Sequence, residues 1–137
     1  MKKTIIIILL LIAVLAGYFA WQAYNKPVAT LHDVKPEMEI SAASLFAAFA
    51  ENEDAAYRKY LGKIIHVYGS VLEIKQGDDY TTVYLDAEDL SGAVSCQLEK
   101  GEESRLKDVE TGQMLNLIGK CTGLTMDVVL TQCIIIQ

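Results

Sequence analysis

Lys63-Ile64-Ile65-His66-Val67-Tyr68-Gly69-Ser70-Val71 is where the hydrophobic period of this chain changes from a helical spacing to two. Ile65, Val67, Gly69 and Val71 fall on one face of an extended strand, with His66, Tyr68 and Ser70 on the other. The glycine inside the run predicts a bulge or a sharp bend. Gln76-Gly77-Asp78-Asp79 then turns the chain, and Thr81, Val83 and Leu85 alternate against Tyr80, Thr82 and Tyr84 in a second strand. Glu88 to Gly92 leads to a third strand carrying Val94, Cys96 and Leu98. The charged stretch Glu99 to Glu110, with Leu106 and Val109 as its apolar contacts, reads as a short helix or loop. Strand structure restarts after Gly112, with Leu115 and Leu117 around Asn116 and a second interior glycine, Gly119. Thr122 to Asp127 makes the last turn before Val128 to Ile136.

Five short strands with bend-forming glycines, split three and two by a connector, predict a closed five-stranded barrel of the OB type. Closure also removes the hazard of Ile134-Ile135-Ile136 lying in an open edge strand. A small SH3-like barrel is the nearest structural alternative. Upstream, Ser41 is suited to cap a helix, and Leu45, Phe46, Phe49, Ala56, Tyr57, Tyr60 and Leu61 recur at three- and four-residue steps. One amphipathic helix with a break near Asn52, ended by Gly62, follows from that spacing. The fold class is thus mainly β with an N-terminal helix, and residues 41–137 form the helix-plus-barrel domain.

Residues 26–40 hold both prolines, Pro27 and Pro36, with mixed charge and no periodicity, and read as a linker. Residues 1–25 read as an N-terminal transmembrane signal anchor. Ile5 to Ala20 carries no charge, and the apolar run to about Tyr24 reaches the ~20 residues needed to span a bilayer. Tyr18, Trp21 and Tyr24 suit the headgroup level. Lys2 and Lys3 precede the run and only Lys26 follows it closely, which predicts a cytoplasmic N-terminus and a periplasmic or other extracytoplasmic C-terminal domain on a single-pass protein of the cell membrane. A cleaved signal peptide shares the positive start and apolar middle, but bulky Tyr18, Phe19 and Trp21 crowd the position of a small-x-small site. Leu15-Ala16-Gly17 opens like a lipoprotein processing site, yet Tyr18 offers no thiol to acylate.

From Glu37 onward there are eight Lys plus Arg and seventeen Asp plus Glu, a net charge of −9 within a chain of net charge −6. Phosphate backbones repel such a domain unless its few bases cluster. Arg58, Lys59 and Lys63 are the close set, and the end of a helix accounts for them. No C-x-x-C or H-x-x-x-H spacing suggests a metal site, and His32 and His66 are the two histidines. No cofactor is expected. Cys96, Cys121 and Cys133 fall on apolar strand positions, away from an electropositive mouth that would activate a nucleophile. A compartment that permits oxidation allows one disulfide among them. The order of strands in an OB barrel favours Cys96 with Cys133, with Cys121 opposite about Val128; three buried thiols are the alternative.

Leu45, Phe49, Glu53, Ala56, Tyr60, Gly62-Lys63, Val67, Gly69, Val71, Val94-x-Cys96, Gly112, Gly119-x-Cys121-x-Gly123, Asp127-Val128 and Leu130-x-x-Cys133 together resemble the tRNA_anti-like family of bacterial envelope OB-fold proteins. The resemblance runs from about Ser41 to Ile136. It implies a barrel similar to anticodon-binding domains, a description as nucleic-acid-binding by analogy of fold, and no catalytic residue. Many members are lipoproteins, whereas this chain lacks the acylated cysteine. Tyr80 and Tyr84 share a strand face, and Tyr68 with His66 is expected beside them as a ligand-binding face. Asp78, Asp79 and Asp86 flank it and oppose phosphate. The expected function is a membrane-anchored, non-enzymatic binding module for a protein, peptide or glycan of the cell envelope. The alternative is single-stranded oligonucleotide binding on the tyrosines.

Overall fold

In a computed structural model, residues 1–24 and 31–136 are described. Lys26, Pro27 and the rest of the linker up to residue 30 lie outside them. Helix α1 (Lys2–Tyr24) is long and apolar enough to cross a membrane, and none of its residues is buried. The linker reading ends early. Leu31–Asp33 is a 3-10 turn whose Leu31 is buried against Ile118 and Ile134, and Met38–Ser41 (β1) is a short strand. Four residues beside a proline are too few to show a period, so this strand is set by its neighbour and not by its own pattern.

Helix α2 (Ala42–Glu51) begins at Ser41, whose hydroxyl accepts from Ser44 N at 3.1 Å. The expected break is real: Asn52 is extended (φ −152°, ψ 92°), and its side chain starts α3 (Glu53–Tyr60) by accepting from Ala55 N at 3.0 Å. Leu45, Phe46, Phe49, Ala56 and Tyr60 are the buried stripe of this pair, and Phe49 meets Tyr57 edge-on with ring centroids 5.4 Å apart. The stripe packs into the barrel core with Val67, Val83, Val94 and Leu117.

The barrel is organised by β2 (Ile64–Gln76), which is long enough to serve two neighbours. Its first half, Ile64 to Ser70, pairs with β5 (Met114–Leu124), and its second half pairs antiparallel with β3 (Thr81–Leu85). Strand β1 lies parallel to the first half on the other side. The register shift falls between Val71 and Glu73, two residues beyond the glycine expected to carry it, and it leaves Leu72 half exposed. Strand β4 (Val94–Leu98) pairs with β3, and β6 (Val128–Ile136) pairs parallel with β4 and antiparallel with β5. The five strands β2 to β6 therefore close into a barrel of OB topology. The connector expected as helix or loop contains a 3-10 turn, Glu102–Leu106, with Leu106 buried.

A buried carboxylate fastens the ends of the domain together. Glu102 accepts from Ile135 N at 2.9 Å and stands 2.8 Å from His32 Nε2, so the turn before the barrel and the last strand share one group. Gly119 permits a second close approach: a Cβ there would overlap the Cys133 sulfur and stand 3.2 Å from Leu130 Cβ. Overpacking of this kind costs about 1–3 kcal/mol. Gly119→Ala is expected to lower stability by that amount, measured by chemical denaturation of the detergent-solubilised chain.

Candidate binding groove

The outer face of β2 and β3 is set by register. Tyr84 stands opposite Glu73 and Thr82 opposite Lys75, so these four side chains share one side. The Lys75 ammonium lies 4.8 Å from the centre of the Tyr84 ring and 3.3 Å from Glu73 Oε2. Before β3, the 77–80 turn is closed by Gly77 N donating to Tyr80 O at 3.0 Å, which lifts Tyr80 to 51% exposure at the lip. A hollow of about 450 Å³ lies between the two tyrosines and Lys75, with Asp78 and Asp79 on its rim. Tyr84 also lines a second hollow, of about 580 Å³, whose apolar walls are Leu72, Leu90 and Met126. The two form a groove across the barrel with Tyr84 at its middle.

The far wall of the groove is held by short hydrogen bonds within and between loops. Asp86 accepts from Glu88 N, and Asp89 from Ser91 N, each at 2.8 Å, two local bonds that shape the 86–93 loop. The Ser91 hydroxyl and N–H also hold the Asp89 carboxyl below its ordinary pKa. Asp127 accepts from Ala93 N at 2.8 Å and ties that loop to the β5–β6 turn. Tyr57 secures the turn from below: its hydroxyl donates to Leu124 O at 3.0 Å and accepts from Leu124 N at 3.1 Å.

Of the four tyrosines and histidines expected as one face, Tyr80 and Tyr84 meet at the groove. Tyr68 and His66 sit on the first half of β2 instead, with rings 6.1 Å apart. There His66 faces Asn116 Oδ1 at 3.1 Å and Glu39 Oε2 at 3.6 Å. The bulge at Leu72 separates the two halves, since a register shift turns the strand between them. Leu72, Leu90 and Met126 were not foreseen. Leu90 alone carried a signal, an apolar side chain standing in the acidic turn Glu88-Asp89-Leu90-Ser91-Gly92.

The three cysteines are buried thiols. Burial first and the neighbouring Cys96 second push the Cys133 pKa well above the ordinary thiol value. Burial also raises Cys121. Cys121 stands opposite Leu130 and not Val128, because β5 runs on to Leu124 and the turn to β6 is shorter than expected. None of this yields a thiolate at neutral pH. Among the described residues no group of three His, Cys, Asp or Glu side chains is placed to hold a metal ion.

Closed barrel, helix pair and a groove over the first two barrel strands, β2 and β3, define a small OB-fold binding module. The chain belongs to the tRNA_anti-like family, whose model matches residues 1–135. It is similar in fold to a candidate nucleic acid-binding lipoprotein of Klebsiella pneumoniae, at 16% identity and a TM-score of 0.59 over 72% of this chain and 92% of that one. It is also similar to part of a candidate aspartyl-tRNA synthetase of Leishmania major, at 11% identity and a TM-score of 0.50 over 80% of this chain and 22% of that one. No curated protein matches the sequence.

Because both polar groups of Leu124 rest on one hydroxyl, Tyr57→Phe leaves two part-buried backbone groups unpaired. A loss of about 1–3 kcal/mol is expected in chemical denaturation, with faster amide exchange at Leu124.

Proposed function

We propose that this protein is a single-pass membrane protein whose OB barrel, outside the cytoplasm, binds an envelope ligand in the groove centred on Tyr84 and performs no catalysis. The charge of the groove carries the choice of ligand class. Six carboxylates and one lysine line its two hollows, and the lysine is already paired with Glu73. A nucleic acid would have to bring phosphates into that field, where backbone neutralisation needs bases that are not there. A protein, peptide or glycan partner fits better. Exposed apolar α1 and the lysines before it support the membrane assignment, and a lipoprotein of similar fold supports an envelope location.

The competing reading, single-stranded oligonucleotide binding, has the family and the Klebsiella relative behind it, together with the Tyr80 and Tyr84 rings as stacking surfaces. Full-length protein in nanodiscs of zwitterionic lipid, titrated with oligothymidylate at low salt, separates the two. No saturable binding is expected. Tight, salt-sensitive binding lost on Tyr80→Ala with Tyr84→Ala would reverse the ranking.

We also propose that Cys96 and Cys133 form a disulfide after export, each thiol giving up a proton and an electron to the oxidising machinery of the compartment. Alkylation of the denatured, unreduced protein is then expected to find one thiol, Cys121. Finding three would show that the pair stays reduced.

A further inference from the structure

The groove's own chemistry narrows its occupant. Its second hollow is walled by apolar side chains that none of the described residues covers: Leu72 is 50% exposed, Met126 83%, and Leu90 stands wholly clear of its loop. Leaving such groups in water is unfavourable relative to burying them. Glu73, Asp86, Asp89 and Asp127 surround this apolar floor. Asp86 and Asp89 accept from N–H groups of their own loop, Asp89 also from the Ser91 hydroxyl, and Asp127 accepts from Ala93 N of the neighbouring loop; these bonds hold the carboxylates in place without neutralising them. At the other end, beyond Tyr80, Glu99 and Lys100 stand together on the wall of a further hollow lined by Tyr80 and Leu98.

We infer that the groove takes an extended polypeptide segment in which lysine or arginine alternates with apolar residues. This rests on the groove reading above and names its ligand. Apolar side chains of the segment cover Leu72, Leu90 and Met126, and its cations answer the carboxylates of the rim. Alternation follows from the layout, because an extended chain sends successive side chains to opposite sides, one set to the floor and one to the rim. Anionic lipid surfaces and nucleic acids meet the same rim as repulsion.

The test uses full-length protein in zwitterionic nanodiscs, with empty nanodiscs as the blank and fluorescence anisotropy as the readout. The probe is a labelled octapeptide alternating lysine and valine. Saturable binding is expected, weakening at least tenfold from about 50 mM to about 500 mM salt. The Glu73→Gln, Asp86→Asn, Asp89→Asn triple variant should raise Kd about tenfold. Asn keeps the oxygen that accepts from the loop N–H, so folding is preserved. Leu90→Ser, at a side chain that touches nothing structural, should weaken binding several-fold. Replacing the probe's lysines by glutamate, or its valines by glycine, should abolish or strongly reduce binding.

Absence of binding by the lysine–valine peptide would overturn the inference. Binding of the glutamate peptide or of maltohexaose instead, lost on Tyr84→Ala, would overturn it while leaving the groove as the site. Peptide binding unmoved by the triple variant, Leu90→Ser and Tyr84→Ala would sink both the inference and the groove. Oligothymidylate binding tighter than the peptide would replace it with nucleic acid.

Discussion

Everything in this domain depends on one strand having two sets of partners. Strand β2 spends its first half on β5 and its second on β3, and a barrel of five strands closes because the bulge between Val71 and Glu73 lets the strand turn from one sheet direction to the other. Closure leaves the interior to Val67, Val83, Val94, Leu117 and Leu130 and covers the open end with the stripe of α2 and α3. Without the turn in β2 there would be an open sheet, two exposed edges and no shared face for Tyr84 and Lys75.

The same bulge makes the groove. By shifting register it pushes Leu72 outward and divides β2 into a polar, hydrogen-bonded front, where His66 and Asn116 meet, and an aromatic, acidic back. The two environments differ in what they ask of a ligand. At the front, polar groups are already paired with one another. At the back, carboxylates are steadied by loop backbone and left with charge to spare, and apolar groups face water. Such an arrangement is costly for an isolated domain and is understandable as a surface made for another molecule.

Much of the barrel was legible in the sequence because its strands carry a period of two and its helices a period near four, and those periods report burial directly. The helix break at Asn52 was legible too, since a side chain that caps one helix interrupts another. What escaped were features settled by neighbours. Met38–Ser41 becomes a strand because β2 offers it backbone partners, and Leu31 is buried because Ile118 and Ile134 leave it a place. The bulge was expected at Gly69, yet the actual shift at Leu72 relieves the change of partner instead of answering a glycine. Tyr80 and Tyr84 could be paired by alternation. Their separation from His66 and Tyr68 could not, because alternation alone carries no information across a bulge. Leu90 and Met126 lie on turns, where no period exists to be read.

The order of strands in space has a consequence for how the protein is made. Strand β6 is the last in sequence, yet it lies between β4 and β5, and Glu102 binds its Ile135 to the turn that carries the first residues of the domain. The ribosome therefore delivers the central stave of the cylinder after all the others. Until Ile136 has emerged, the growing chain has no complete core to collapse upon, and long-range pairing of this type is slow in any case. A polypeptide with this strand order closes its cylinder only when β6 slots between two strands already made.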